Sequence, residues 1–250
     1  MRNRISFLLI GLMMAFGMAT AQRLYTIETG QFDKLKVNAN ANVIYRNVPD
    51  STGYAAYTTV EDNPDLFVLT VKNGTLRIQQ GETQWKDNAL PTLYVYSDFL
   101  TSVESSSDRS VIVENLAPCA TFGVNLIGNG TIVVENIKSN TVSASITTGN
   151  GTINLSGKCN DATFKMVGAG LISADRLCAD NVKCKILGTG SIGCWPVDNL
   201  GVRGIGSTKI YYKGKPNIKK IGGGKLLELP EEEIPQRGAR VDSFLYENDD

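Results

Sequence analysis

Between residues 102 and 224 a two-glycine turn returns five times, each time with an alternating apolar segment on either side. The turns are Gly128-Asn129-Gly130, Gly149-Asn150-Gly151, Gly168-Ala169-Gly170, Gly188-Thr189-Gly190 and Gly204-Ile205-Gly206, at steps of 21, 19, 20 and 16 residues. A unit this short cannot bury its own apolar face. It has to stack on its neighbours, so the repeat predicts a column of coils in place of a globular α/β domain.

The flanks of the turns identify the inner side of each coil. Leu126 and Val124 stand three and five residues before Asn129, and Ile132 and Val134 the same distances after it. Met166 and Phe164 face Ile172 and Ala174 about Ala169, Ile186 and Cys184 face Ile192 and Cys194 about Thr189, and Val202 and Leu200 face Thr208 and Ile210 about Ile205. In a strand every second side chain shares a face, so these positions line one interior. Leu126, Val134, Ile153, Phe164, Met166, Ile172, Ile186 and Ile192 are the expected core. About Asn150 the partners Ile146 and Ala144 lie one residue too far away, which predicts a bulge near Thr147-Thr148.

Ser107-Asp108-Arg109 stands 21 residues before the first glycine turn with matching flanks, and Val37 to Tyr45 repeats the pattern more faintly. Phe67 to Val71 and Thr75 to Ile78 flank Lys72-Asn73-Gly74, and Asn-Gly between alternating runs signals a tight hairpin. The three Asn-Gly-Thr triplets also match a glycosylation sequon, but in this chain Asn-Gly recurs at turns and the turn reading takes precedence. The expected fold is all-β: a right-handed parallel β-helix of roughly 20-residue coils with an N-terminal hairpin insertion. Right-handedness follows from the preference of parallel crossovers.

Residues 1–21 read as a secretory signal: Arg2 and Arg4, an apolar run from Ile5 to Met18, and Ala19-Thr20-Ala21 as a cleavage site. The run is short for a membrane span. The expected layout is then a single domain over 22–227, with a hairpin-bearing insertion at 46–100 and regular coils at 101–227, followed by an acidic flexible tail at 228–250. Without Arg2 and Arg4 the chain has 23 basic and 25 acidic residues, which gives no basis for nucleic-acid binding. The tail holds eight acids against Arg237 and Arg240, so the body carries a positive excess.

The chain contains no histidine, which removes Ser-His-Asp and Cys-His catalysis and histidine-ligated metals. Gly-x-Gly cradles a phosphate only where it opens a helix, and no helical period follows any of these turns. Asp161, Asp175, Lys183, Lys185 and Arg203 are scattered without evident convergence. Glu114 with Asn115 and Glu135 with Asn136 occupy matching places in successive coils, which reads as an asparagine turn ladder beside solvated glutamates. Trp195, Tyr211 and Tyr212 are candidate surface-binding aromatics for sugar rings, or caps of the column's end. No catalytic, cofactor or metal residues are assigned.

Five cysteines in an exported chain raise the question of pairing. Cys159 and Cys178 each fall ten residues after the first glycine of their own turn, which places them on adjacent coils within bridging range and ranks them first as a disulfide. Counted back from the following turn, the two are offset by one residue, which points their side chains apart. Cys184 and Cys194 read as free core thiols, and Cys119 has no partner.

Phe32 to Val37, the Val71 to Ile78 hairpin and the later Gly-x-Gly coils behind a signal peptide resemble the head GIN domain family of auto-transporter adhesins. The resemblance covers roughly residues 32–215. It implies a β-helix without a catalytic motif, exported to the periplasm, outer surface or medium, with a cell-surface polysaccharide or protein as partner and no cofactor. A carbohydrate-binding or envelope-scaffold role is the alternative, ahead of a polysaccharide-degrading enzyme. No functional residue carries over.

Overall fold

The computed structural model describes residues 22–60, 65–82 and 90–230. The expected signal peptide and residues 231–250 of the acidic tail lie outside these. The chain runs through β1 (Arg23–Glu28), β2 (Lys34–Val37), β3 (Ala41–Arg46), a 3-10 turn at Pro49–Ser51, β4 (Tyr54–Thr59), β5 (Phe67–Lys72) and β6 (Thr75–Gln80). It continues with β7 (Leu90–Tyr96), β8 (Ser102–Ser105), β9 (Ser110–Glu114) and β10 (Cys119–Ile127). Four long strands follow, β11 (Thr131–Thr148), β12 (Thr152–Met166), β13 (Leu171–Ile186) and β14 (Ser191–Gly204), and then β15 (Lys209–Tyr212), β16 (Asn217–Gly222) and β17 (Lys225–Glu228).

Each coil is a strand, an arch and a second strand. The segments before the arches form one face, in the order β6, β2, β8, β10, the second halves of β11 to β14, and β16, every neighbour parallel. Segments after the arches form the opposite face, in the order β7, β3, β9, the first halves of β11 to β14, β15 and β17. The middles of the long strands make a short third side, where Cys119 aligns with Ser139 and Lys138 with Lys158. The bends between sides use residues that tolerate positive φ: Asn115 and Asn136 at 54° and 56°, and Gly157 at 129°. The asparagine ladder is therefore a turn ladder, as expected.

The parallel β-solenoid thus agrees with the repeat, but the insertion does more than carry a hairpin. Its strands β6 and β7 pair in parallel with β2 and β3, so they form a coil of their own outside the first one. The β2–β3 coil ends up between a coil that follows it in sequence and the β8–β9 coil. Beyond β6 and β7 the stack changes to antiparallel strands: β5 on one face, β4 and β1 on the other. The β5–β6 turn has Asn73 and Gly74 both at positive φ, 51° and 73°, as a tight hairpin with right-handed strand twist requires.

All eight expected core residues are at most 1% exposed. Phe164 lies between Ala144 and Cys184 on the neighbouring rungs, so a large inner side chain is flanked by small ones. The bulge falls where expected: Leu126 aligns with Ile146, but Ile127 aligns with Thr148 and skips Thr147.

The arches explain the glycines. Ala169 N–H donates to the Gly149 carbonyl at 2.9 Å and Leu171 N–H to the Gly151 carbonyl at 2.9 Å, so successive arches stack at backbone hydrogen-bond distance. A Cβ on Gly168 would stand 2.6 Å from the Gly149 oxygen, and one on Gly188 would collide with the Gly168 oxygen. Close stacking, more than dihedral freedom, demands glycine at these two positions.

Candidate functional site

With the interior filled by side chains, a partner meets the outside of the coils. A groove of about 650 Å³ crosses several rungs on the outer side of the second face, around Tyr211, Asp175, Ser173, Ser191 and Leu171. Ser173, Gly193 and Tyr211 align in one column on three successive rungs, and the missing side chain at Gly193 opens the recess. The Asp175 carboxylate lies over that glycine, 3.1 Å from where a Cβ would be, and accepts a hydrogen bond of 2.8 Å from the Ser173 hydroxyl. An aromatic wall, an apolar side chain and an oriented carboxylate converge there.

The three aromatics singled out from the sequence do not form one site. Tyr211 faces this groove, whereas Tyr212, the next residue, turns inward and packs against the core near the end of the stack. Burial pushes the Tyr212 phenol up, with a smaller contribution from Glu228. Trp195 sits on the third side, where the Lys213 ammonium lies 3.9 Å from its ring centroid.

Lys183, Lys185 and Arg203, scattered in the sequence, are neighbours in space. Lys165, Lys185 and Arg203 occupy one column on three successive rungs of the first face, and Lys183, Gly201 and Lys219 the parallel column two residues away. Lys183, Lys185, Gly201, Arg203 and Lys219 line a groove of about 330 Å³. The signal that finds this cluster is the rung register, which brings together residues 18 to 20 apart. Asp161 and Asp175 are not part of it. Asp161 caps a separate ladder, accepting from the Asn181 amide at 3.3 Å while Asn181 accepts from Asn199 at 2.8 Å.

The glutamate expectation needs a correction at one position. Glu135 is exposed, but Glu114 accepts a hydrogen bond from Arg46 Nε at 2.7 Å, because the register puts the two on neighbouring rungs.

The cysteines are all thiols. The equal count from the preceding turns placed Cys159 and Cys178 on one register; instead Cys159 aligns with Ala179 and Cys178 with Lys158. An additional residue in β13 between Ser173 and Arg176 shifts the register by one, so Cys159 is buried and Cys178 half-buried on the opposite side of its strand. Burial, then Asp161 and Asp180, pushes the Cys159 thiol up to about 12, which leaves no thiolate for nucleophilic work near neutral pH. Cys184 and Cys194 are buried in the core, where the Cys184 thiol and burial hold Cys194 well above its ordinary value. Among the described residues no group of three or more Cys, Asp or Glu is placed to hold a metal ion.

A packed parallel column with shallow lateral grooves defines a β-solenoid scaffold. This chain belongs to the head GIN domain family: residues 31–216 match the family described as "Putative auto-transporter adhesin, head GIN domain". Among solved structures, a "putative adhesin" from Bacteroides fragilis superposes with a TM-score of 0.73 at 19% identity, over 84% of this chain and 97% of that one. A "putative lipid binding protein" from Parabacteroides distasonis gives 0.63 at 23% identity, over 84% and 97% of the two chains. A "putative adhesin" from Parabacteroides merdae gives 0.63 at 21% identity, over 84% and 96%. These likenesses establish the fold. Comparison with curated proteins finds no match.

Proposed function

We propose that the chain is a non-catalytic exported protein of the cell envelope, an adhesin or surface-binding module whose partner is a cell-surface polysaccharide or protein. The observation that carries this reading is the lateral groove around Tyr211 and Asp175, which runs across rungs of a rigid, filled column. Such a groove meets an extended partner from the side and has no enclosed chamber for a reaction. Export rests on the Arg2 to Ala21 signal, and the adhesin role is supported by the family description.

Carbohydrate binding is the second reading, and the groove favours it. A sugar ring has an apolar C–H face and hydroxyl edges; Tyr211 and Leu171 match the first, and Asp175, Ser173 and Ser191 the second. The relative from Parabacteroides distasonis is named for lipid binding. Here the space between the faces is occupied by buried side chains, so an acyl chain would have to lie outside. Binding of the mature chain to a panel of neutral hexasaccharides tests the carbohydrate reading. Tyr211→Ala and Asp175→Asn are expected to weaken that binding about tenfold each, the cost of one hydrogen-bonding or stacking contact of about 1.4 kcal/mol. Variants that bind as the wild type does would remove the groove from the account.

A further inference from the structure

We propose that the outer side of the first face, toward the end of the stack formed by β12, β13, β14 and β16, is a binding surface for an acidic polysaccharide. The proposal rests on the surface-binding reading and uses a different face from the Tyr211 groove. Lys165, Lys183, Lys185, Arg203 and Lys219 are all exposed, while the residues between them, Phe164, Met166, Cys184, Ile186 and Val202, point into the core. Alternation therefore sends every one of the five cations to the same outer surface.

Their arrangement carries a like-charge contact over three successive rungs. Adjacent rungs are about 4.8 Å apart, and like charges directly opposite each other disfavour the fold. Elsewhere on this solenoid Lys36 faces Glu104 and Arg46 faces Glu114, each in an ion pair, while Lys138 opposite Lys158 and Lys209 opposite Lys225 are like-charged pairs of two. At this end Lys165, Lys185 and Arg203 follow one another on three rungs, and among the described residues none of the five cations has an acidic partner. An uncompensated column of one sign is a surface waiting for the opposite charge.

The shape selects the class of anion. Gly201 stands between Lys183 and Lys219, and its bare backbone is the floor of the groove that Lys185 and Arg203 border. A flat bilayer cannot enter such a channel, whereas a linear chain with one carboxylate per sugar can lie along it and offer a charge at each rung. The body's positive excess and the regular spacing of the cations along the stack fit that geometry.

The gap at Gly201 also gives a test that leaves the charge alone. A Cβ there would have its nearest neighbours, the Lys183 Cγ and the Val182 carbonyl, at 3.8 Å, so the fold has room for a side chain. The experiment measures binding of the mature full chain to polygalacturonate, with dextran as the neutral control and phosphatidylglycerol vesicles as the lipid control. The wild type is expected to bind polygalacturonate at low salt and release it as salt rises, and to ignore dextran at this face. Lys185→Gln with Arg203→Gln is expected to weaken binding by about tenfold or more and to flatten the salt dependence. Gly201→Val is expected to weaken it with the charge unchanged.

Polygalacturonate binding unaffected by the double variant would overturn the proposal, as would binding to the vesicles alone. So would binding that emerges only when Glu231, Glu232 and Glu233 are changed to Gln, since the chain's own tail would then be the occupant. If polygalacturonate fails while the protein still adheres to isolated envelopes, the acidic-polysaccharide assignment falls and the surface-binding reading stands.

Discussion

At the scale of single residues, two kinds of glycine carry different physics. Gly188 sits in an arch that hydrogen-bonds to the arch beneath it, and a methyl group there meets the Gly168 carbonyl oxygen. Gly201 lies mid-strand with open space around its Cβ direction. Gly188→Ala should therefore cost about 1–3 kcal/mol, as overpacking of a rigid site does, and Gly201→Ala far less. Urea unfolding of the two variants checks this; equal losses would show that the arches do not stack as closely as described. The arch glycines were legible in the sequence as a repeated turn, but the cause, contact with the next coil, became visible only with the stacking.

At the scale of strands and coils, side-chain ladders join the rungs. On the outer side of the first face Lys36 pairs with Glu104, Glu104 accepts from the Asn125 amide at 3.1 Å, and Asn125 accepts from Ser145 and Thr147 at 2.8 Å each. The hydrogen bond from Lys36, with a lesser one from Asn125, holds the Glu104 carboxyl below its ordinary value of 4.5. A carboxyl that is depressed in the folded state stabilises the fold above its unfolded value, and that stabilisation is lost as pH falls through the folded value. Glu104→Gln should cost up to about 1 kcal/mol near neutral pH, the range of a partly exposed pair. The gap between variant and wild type should close as pH drops below 4.5, and a gap that stays constant in acid would contradict the ladder. The arches, the hairpin and the bulge at Thr147 could be read from alternation, because each is a local departure from a period of two. The order of coils could not, since nothing in the repeat says that β6 and β7 stack outside β2 and β3. Rung partners across the third side were equally hidden. An additional residue near Ala174-Asp175 changes the offset between coils from 19 to 20, which misplaced Cys178 relative to Cys159. The cation column Lys165, Lys185 and Arg203 depends on the same cross-coil register and was hidden in the same way.

At the scale of the whole molecule, the solenoid is a filled column closed at one end by antiparallel β1, β4 and β5 and edged at the other by β16 and β17. The two proposed binding surfaces lie on lateral faces: an aromatic and carboxylate groove on one, a cationic groove on the other. The chain contains no histidine, and burial holds the Cys159 and Cys194 thiols above their ordinary values. The most direct test incubates the mature chain with immobilised polysaccharides and isolated cell envelopes, and measures retained protein and released reducing sugar in the same wells. Retention without release is the predicted result; release of reducing ends, or retention on none of the surfaces, would contradict the account.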